Sequence, residues 1–486
     1  MSEPIESASS FTPVTWRKAG LLSLIAVVCF HVAYTPAASG LWSFAIVGYV
    51  IGLVQLARLR TTRQCFYTAL ATGFACVGPQ LGFFWRIFGP AAIVLWLILA
   101  LWLALFVVLT HLAIVTLGLK RAAFLTPFFW TGLEYFRSEL YYLKFSWLNV
   151  GYVFAQWPPI PWQFVGVFGI GFITAVIAAC VLVIGLERLH RITLVELIVI
   201  LGIGGVLLAI YLPAASLMSG KPNLVVAGVQ IEFPESGQLK PSMTKVANIP
   251  EQEKFLRLCG FTNVDLVVLP EYTLDGEPTE ALKDWCRTNQ KFLIVGGKQP
   301  LGDTNYFNTA FVISTNGEVV FKQVKSVPIQ FFKDGLPAPE QKVWDSPWGK
   351  IGICICYDLS YTRVTDALVR QGAQMLIVPT MDVADWGQHQ HELHARIAPV
   401  RAAEYGIPIF RVASSGISQG VTSSGQVQSS APYPGDGETI FFGARISDKG
   451  SVPPDRLLGP LCVFVTSTFV MRQILGSFRR KPVRAE

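Results

Sequence analysis

The chain has 486 residues, 52% of them hydrophobic, with a formal net charge of +7. A mean hydropathy of +0.46 excludes an ordinary soluble protein. The basic residues cluster beside apolar stretches, so the positive charge calls for no nucleic-acid partner.

Taken in order, uninterrupted apolar stretches near the ~20 residues needed to cross a bilayer fall at 19–37, 41–57, 65–86, 89–118, 122–137, 159–187, 192–216 and 457–476. The sequence thus predicts an α-helical membrane bundle of about eight spans. The first span follows Arg17 and Lys18 but ends in no small-residue cleavage pattern, and a second span follows at once, so it reads as a retained helix. Basic clusters at Arg17/Lys18, Arg58/Arg60/Arg63, Lys120/Arg121, Arg188/Arg191 and Arg479/Arg480/Lys481/Arg484 all fall on one side of an eight-span arrangement. The loops of opposite parity hold few basic residues. Both termini are therefore expected in the cytoplasm, and the long polar insert between spans seven and eight outside it. Glu134, Arg137 and His111 are the main ionisable residues well inside the spans, too few for an ion-coupled transporter. The division expected is 1–218 for the N-terminal membrane region of about seven helices, 219–450 for an extracytoplasmic domain, and 451–486 for the last helix and a basic tail.

Within the insert, Leu224-Val-Val-Ala-Gly-Val-Gln230 reads as a strand and residues 251–258 as a helix. Val264-Asp-Leu-Val-Val-Leu-Pro-Glu271 is an apolar strand with a carboxylate at its exit. A helix over 279–290 and a strand at Phe292-Leu-Ile-Val-Gly-Gly297 follow. Residues 308–314 and 318–325 flank Asn316-Gly317, a hairpin signal. Ile351, Ile353 and Ile355 alternate with Gly352, Cys354 and Cys356, the period of a strand that turns at Asp358 and Ser360. A helix near 364–371, a strand at 374–379, a long helix over 390–405, a strand at 408–413 and a final hairpin complete it. Alternating strands and helices with interspersed hairpins predict a layered α/β sandwich.

Nine cysteines give no disulfide framework: five lie in or beside apolar spans, Cys354 and Cys356 are too close along one strand to pair, and a Cys259–Cys286 bridge has no support from spacing. Taken alone, Cys356 reads first as a small core residue. The chemical alternative is a nucleophile held where a buried strand turns, with Glu271 as base and Lys325 or backbone N–H groups facing a developing oxyanion. His391 and His394 share a helix face near His389, Asp382, Asp385 and Glu392, but thiol chemistry needs no metal and the spacing matches no ligand pattern, so neither a metal nor a cofactor is expected.

Leu269-Pro270-Glu271, the segment from Gly317 to Lys325, and Ile355-Cys356-Tyr357-Asp358 resemble, in order and spacing, the Glu–Lys–Cys triad of the nitrilase superfamily. Arg401-Ala-Ala-Glu404-Tyr, Arg411-Val-Ala-Ser-Ser-Gly416 and Ser424-Gly425 resemble its later helix, strand and hairpin. A nitrilase-like domain between seven spans and one more resembles the apolipoprotein N-acyltransferase family, as do Trp147-Leu-Asn-Val-Gly-Tyr152 and Pro36-Ala-Ala-Ser-Gly-Leu-Trp42. The resemblance implies an αββα sandwich with Glu271, Lys325 and Cys356 as catalytic triad. Asn308, Tyr357, Asp358, Trp386, Phe331 and Phe332 are candidate substrate-binding residues.

It also implies an acyltransferase of a bacterial inner membrane, expected as a monomer. A phospholipid would be its acyl donor, and the α-amine of a diacylglyceryl-modified apolipoprotein its acceptor. A membrane-tethered amidase, or an acyltransferase with another amine acceptor, is the alternative. The sequence departs from the family in two places. Ser326-Val-Pro-Ile-Gln-Phe-Phe332 lacks the glutamate expected after the lysine, and Asp382-Val-Ala-Asp-Trp386-Gly387 replaces an Asp-Ala-Trp-Phe-Gly loop. Anchoring on Pro328 would put Gln323 in the lysine's place. Anchoring on the Gly317 hairpin selects Lys325, with Lys322 next, and hairpin register favours that anchor.

Overall fold

The structure, a computed structural model, describes residues 12–35, 40–157, 160–184, 222–231, 263–302, 304–435, 437–446 and 448–479. The chain divides into two compact units, one of Met1–Phe154, Phe164–Tyr211 and Pro454–Glu486, the other of Ala155–Gln163 and Leu212–Pro453.

The first unit is helical. It contains α1 (Trp16–Tyr34), α2 (Ala45–Leu56), α3 (Thr62–Gln80), α4 (Phe83–Phe88), α5 (Ala91–Leu117), α6 (Leu119–Tyr135), α7 (Trp162–Ile184) from Phe164 onward, and a C-terminal helix, Asp455–Arg479. The expectation of eight spans is corrected on count. Among the described residues, four helices are long and apolar enough to cross a membrane: Trp16–Tyr34, Ala91–Leu117, Trp162–Ile184 and Asp455–Gly476. The expected spans at 41–57, 65–86 and 122–137 are helical but fall short for physical reasons. At about 1.5 Å per residue, α2 with 12 residues and α6 with 17 are shorter than a ~30 Å hydrocarbon layer. Helix α3 carries Arg63, Gln64, Thr68, Thr72 and Gln80, and the chain restarts as α4 after it. The span expected at 192–216, the helix at 251–258 and Cys259 lie outside the described residues.

Lipid offers no hydrophobic drive between helices, so contact there relies on small residues and polar bonds. A Cβ at Gly132 of α6 would lie 2.6 Å from Thr466 Oγ1 and 2.7 Å from the Cys462 carbonyl oxygen, so glycine permits the approach of the C-terminal helix. The buried ionisable residues bind backbone and amide groups. Glu134 Oε1 accepts from the Val150 N–H at 2.9 Å, Arg137 donates to Asn149 Oδ1 at 2.6 Å, and His111 Nδ1 lies 2.9 Å from the Ala57 carbonyl. The first two bonds fasten the irregular 147–154 segment to α6 and the turn at Phe136–Leu140 that follows it.

The second unit holds two six-stranded sheets. The strands are β1 (Leu224–Val229), β2 (Leu266–Val268), β3 (Phe292–Leu301), β4 (Asn305–Ile313), β5 (Val319–Val324), β6 (Val343–Ser346), β7 (Gly349–Ile353), β8 (Met375–Thr380), β9 (Ile409–Ala413), β10 (Ser418–Val421), β11 (Val427–Ala431) and β12 (Thr439–Ala444). Their orders are β12-β1-β2-β3-β4-β5 and β11-β10-β9-β8-β7-β6. Parallel strands β1-β2-β3 and β7-β8-β9 form the two centres, with antiparallel strands outside. The sheets meet face to face, Phe410 stacking on Phe442 with ring centroids 6.0 Å apart. Helix α8 (Glu280–Asn289) buries Leu282 and Cys286 against Val267, Leu293 and Val295 of the first sheet. Helices α9 (Thr362–Arg370), α10 (Gln388–Ala395) and α11 (Ile397–Tyr405) belong with the second. This is the expected α/β sandwich. The single helix expected over 390–405 breaks at Arg396, because Pro399 has no N–H to offer Ala395 and its ring crowds that carbonyl.

Replacing Gly132 with Val should force α6 and the C-terminal helix apart, at about 1–3 kcal/mol for an overpacked contact. A lowered thermal midpoint of the detergent-solubilised protein, against an unchanged midpoint for a variant at the open Gly20, checks this.

Candidate active site

Three chain reversals at strand ends build the site. After β2, Leu269-Pro270 leads into Glu271, and Tyr272 takes a left-handed φ of +55°. Glycine at 296 on β3 makes this possible, since a Cβ there would stand 2.5 Å from the Glu271 Cα. After β5, the Lys325 N–H donates to the Asn308 carbonyl at 2.8 Å and carries the pairing with β4 one step further. Strand β7 ends at Ile353, three residues before Cys356, which opens a 3₁₀ turn Cys356–Ser360 with φ +51°. A side chain held in that sparsely populated region is a local strain, of the kind that persists where neighbouring structure fixes it.

Lys325 is fully buried, and its Nζ lies 2.8 Å from Glu271 Oε1 and 2.7 Å from Asp334 Oδ2. Asn308 Nδ2 donates to both carboxylates, at 2.6 Å to Glu271 and 2.9 Å to Asp334, and the Tyr272 hydroxyl donates to Asp334 at 2.8 Å. One peptide group joins Glu271 to Cys356. The Met381 N–H donates to Glu271 Oε2 at 2.9 Å, and the Met381 carbonyl accepts from Cys356 Sγ at 3.7 Å. The Asp358 carboxylate accepts from the N–H groups of Ser326, Val327 and Ile355, tying the chain after Lys325 to the chain before Cys356.

The electrostatics follow from burial. Burial pushes the Glu271 carboxyl up and Lys325 pulls it back, leaving it above the ordinary glutamate value. Burial alone would lower Lys325, but Asp334 and Glu271 together hold it well above the lysine range. Burial and then the Glu271 charge push the Cys356 thiol well up, so it rests protonated. Burial likewise pushes Asp358 up to about 6 against the pull of its N–H partners.

Of the residues singled out in the sequence, Glu271, Lys325, Cys356 and Asn308 come together. Lys322 does not: it is exposed and pairs with Glu277 at 2.8 Å, as the Gly317 register requires. Gln323 turns instead to the Val324 carbonyl and the Lys342 N–H. Trp386 packs on Tyr272, Met381 and Val383, one residue from the Glu271 turn. Tyr357 is buried edge-on to Tyr361, ring centroids 4.9 Å apart. Asp358 is fully buried, its carboxylate occupied by backbone groups. Phe331 is 69% exposed and Phe332 half-buried, on an arm whose Ala338 N–H returns to the Lys325 carbonyl at 2.8 Å.

A second cluster adjoins Cys356. Its sulfur, an Asp382 carboxylate oxygen and a ring nitrogen of His394 lie within 4.8 Å of one another, a set that could in principle take a metal. Arg411 already donates to Asp382 and touches His394 Nδ1 at 3.0 Å, so a cation would meet a guanidinium there. Asp382 stays ionised: burial works to raise its pKa, and His394 and Arg411 overcome it. His389 and Glu392 sit apart, with His389 Nδ1 and Glu392 Oε2 3.6 Å from each other.

Comparison with known proteins bears on both units of the chain. Residues 11–180 match the model of the apolipoprotein N-acyltransferase N-terminal domain, and residues 236–433 that of the carbon-nitrogen hydrolase domain. An apolipoprotein N-acyltransferase of Shewanella oneidensis is 24% identical over 476 residues, covering 86% of this chain and 89% of the relative. One from Geobacter metallireducens is 23% identical, covering 63% of this chain and 65% of that relative. The chain belongs to the apolipoprotein N-acyltransferase family. The hydrolase part alone also resembles a deaminated glutathione amidase of Dictyostelium discoideum, 32% identical over 22% of this chain and 43% of the relative. Among solved structures, an amidase from Nesterenkonia sp. matches at 17% identity and a TM-score of 0.39, covering 47% of this chain and 92% of that chain.

No glutamate stands where the family resemblance expects one after the lysine, but another carboxylate reaches that lysine. Asp334, nine positions on, returns through the Phe331–Phe332 arm to Lys325 Nζ. Sequence reading missed it because the arm's path was not visible; the one signal was an acidic residue followed by Gly335 in an otherwise apolar stretch. Asp382, His394 and Arg411 were missed as a group because they come from a loop, a helix and a strand.

Asp334→Asn keeps the shape but leaves Lys325 a single buried carboxylate. Breaking a buried charge pair costs about 3–5 kcal/mol, so the variant should show a clearly lowered unfolding midpoint and at least ~10-fold slower reaction of Cys356 with an ester donor, a modest share of what positioned proton-transfer groups contribute. Parallel denaturation and thiol-acylation assays check both.

Proposed function

We propose that this protein transfers an acyl chain from a phospholipid, through a thioester on Cys356, to the α-amine of a diacylglyceryl-modified cysteine at a lipoprotein N-terminus. The observation carrying this reading is the buried Glu271–Lys325 pair joined through the Met381 peptide to Cys356, in a chain that also matches the family's N-terminal domain. In the first half-reaction Glu271 takes the Cys356 proton as sulfur attacks the ester carbonyl. Lys325 faces the developing negative charge, and Glu271 returns the proton to the departing glycerol oxygen, releasing a lysophospholipid. In the second, the acceptor nitrogen attacks the thioester, the C–S bond breaks, and Glu271 carries a nitrogen proton to the sulfur.

Four helices fit to cross a bilayer make this a membrane protein. The basic clusters support an orientation in a bacterial inner membrane with both termini cytoplasmic and the α/β unit outside. A water-using amidase explains the α/β unit but leaves the matched N-terminal domain without a role. Tethering at the interface lets two lipid substrates reach the thiol by lateral diffusion. Phe331 and Phe332 fit as part of the lipid entrance.

Mass spectrometry of the purified protein after incubation with phospholipid should find one acyl adduct on Cys356. Cys356→Ser should abolish it and Cys354→Ala leave it; the reverse pattern removes Cys356 as nucleophile. Glu271→Gln should slow adduct formation at least ~10²-fold while folding is kept, and Lys325→Met should act similarly.

Replacing both Phe331 and Phe332 with Ser should reduce turnover of long-chain phospholipid and spare a water-soluble short-chain ester. Equal rates on both donors for the variant and its parent would exclude the entrance role.

A further inference from the structure

The acceptor amine poses a proton problem that Glu271 alone does not solve. An α-amine arrives largely as ammonium at neutral pH, its ordinary pKa being about 7.7–8.0. It must lose one proton before nitrogen can attack and a second after the C–N bond forms. Glu271 carries one proton at a time, and in the second half-reaction that proton goes to the departing sulfur.

We propose that His394, backed by Asp382, is the catalytic base that takes the first of these protons from the acceptor ammonium beside the Cys356 thioester. This rests on the acyl-transfer reading above. The proton balance closes. Ammonium and neutral His394 become amine and imidazolium; the C–N bond forms and the C–S bond breaks; Glu271 delivers the second nitrogen proton to sulfur. The imidazolium then returns its proton to water, so ammonium and thioester yield amide, thiol and one released proton.

The placement supports this role. A His394 ring nitrogen lies within 4.8 Å of both the Cys356 sulfur and an Asp382 oxygen. His394 Nδ1 is 2.9 and 3.0 Å from the two Asp382 oxygens. Asp382 can only accept, which puts the proton on Nδ1 and leaves Nε2 basic; Arg411, 3.0 Å from the same Nδ1, can only donate and opposes that tautomer, so the Asp382-bonded form is the one this role requires. The charged and titratable groups facing the ring are Asp382 after β8, Arg411 of β9, His391 of its own helix, and Cys356. Burial first, and Arg411 after the opposing pull of Asp382, keep His394 below the ordinary histidine value and hence ready to accept. Asp382, its charge shared with Arg411 and held by Gln390 at 3.0 Å, steadies the imidazolium once formed. Glu271 approaches Cys356 through the peptide of Met381, and Asp382 and His394 form a separate set, so the two proton acceptors do not compete for one place.

The test separates the half-reactions in the full-length protein in phospholipid nanodiscs. Thioester formation is followed from a labelled phospholipid, and the isolated acyl-enzyme is then mixed with a diacylglyceryl-cysteinyl peptide across pH ~6 to ~10, about two units either side of the α-amine value. His394→Gln should form thioester at the parent rate, while aminolysis near neutral pH falls ~10-fold, to the share of amine that is free without a base, and recovers as pH rises through the amine's own pKa. Hydroxylamine, which is unprotonated at neutral pH, should discharge parent and variant acyl-enzymes equally. His394→Asn provides a second variant of the same kind if the glutamine fails to fold. Unchanged peptide aminolysis, or acylation and aminolysis falling together, overturns the proposal. A parent protein that forms no thioester overturns the acyl-transfer reading itself, and this inference with it.

Discussion

The structure of the α/β unit depends on one buried ammonium. Lys325 Nζ sits between Glu271 Oε1 and Asp334 Oδ2, 2.8 and 2.7 Å away, with none of the three side chains open to water. Removing such charges from water costs several kcal/mol per ion, recovered only with close geometry and further hydrogen bonds. Those bonds are present. Asn308 donates to both acids, Tyr272 to Asp334, and the Met381 peptide to Glu271. The group carries one net negative charge, the right sign to take a proton from a thiol that burial keeps protonated.

That arrangement dictates much of the surrounding backbone. Glu271 comes from the end of β2, Lys325 from the end of β5, Asp334 from the arm that follows, and Met381 from the end of β8, so both sheets contribute. Holding them together leaves Tyr272 and Cys356 in left-handed conformations, next to a Gly296 with no room for a side chain. Asp358 fixes the distance between the lysine loop and the cysteine turn by binding N–H groups of both. The site is therefore preorganised by backbone bonds, and the long Lys325 side chain has little freedom left to lose.

The helical unit follows different rules. Its cohesion rests on close approach at small residues such as Gly132, and on buried polar side chains that bind backbone groups. Glu134 and Arg137 are such fasteners, which accounts for ionisable residues in an apolar helix without an ion pathway.

The sequence by itself determined the alternation of strand and helix in the insert, the hairpin at Asn316-Gly317, the presence of helices at each described apolar stretch, and three of the site residues. These are local properties. Periodicity, turn chemistry and the pairing register of a two-strand hairpin are written within a few residues, and the hairpin register alone separates Lys325 from Lys322. The resemblance to a family supplied the order of Glu271, Lys325 and Cys356, which composition could not. Only the tertiary structure decided which helices have the length to cross a bilayer, that the helix after 388 breaks at Arg396, and that Asp334 pairs with Lys325. It alone assembled Asp382, His394 and Arg411 beside Cys356. A carboxylate's partner is set by where the chain returns, not by its neighbours in sequence, and a nine-residue arm can return anywhere until packing fixes its path.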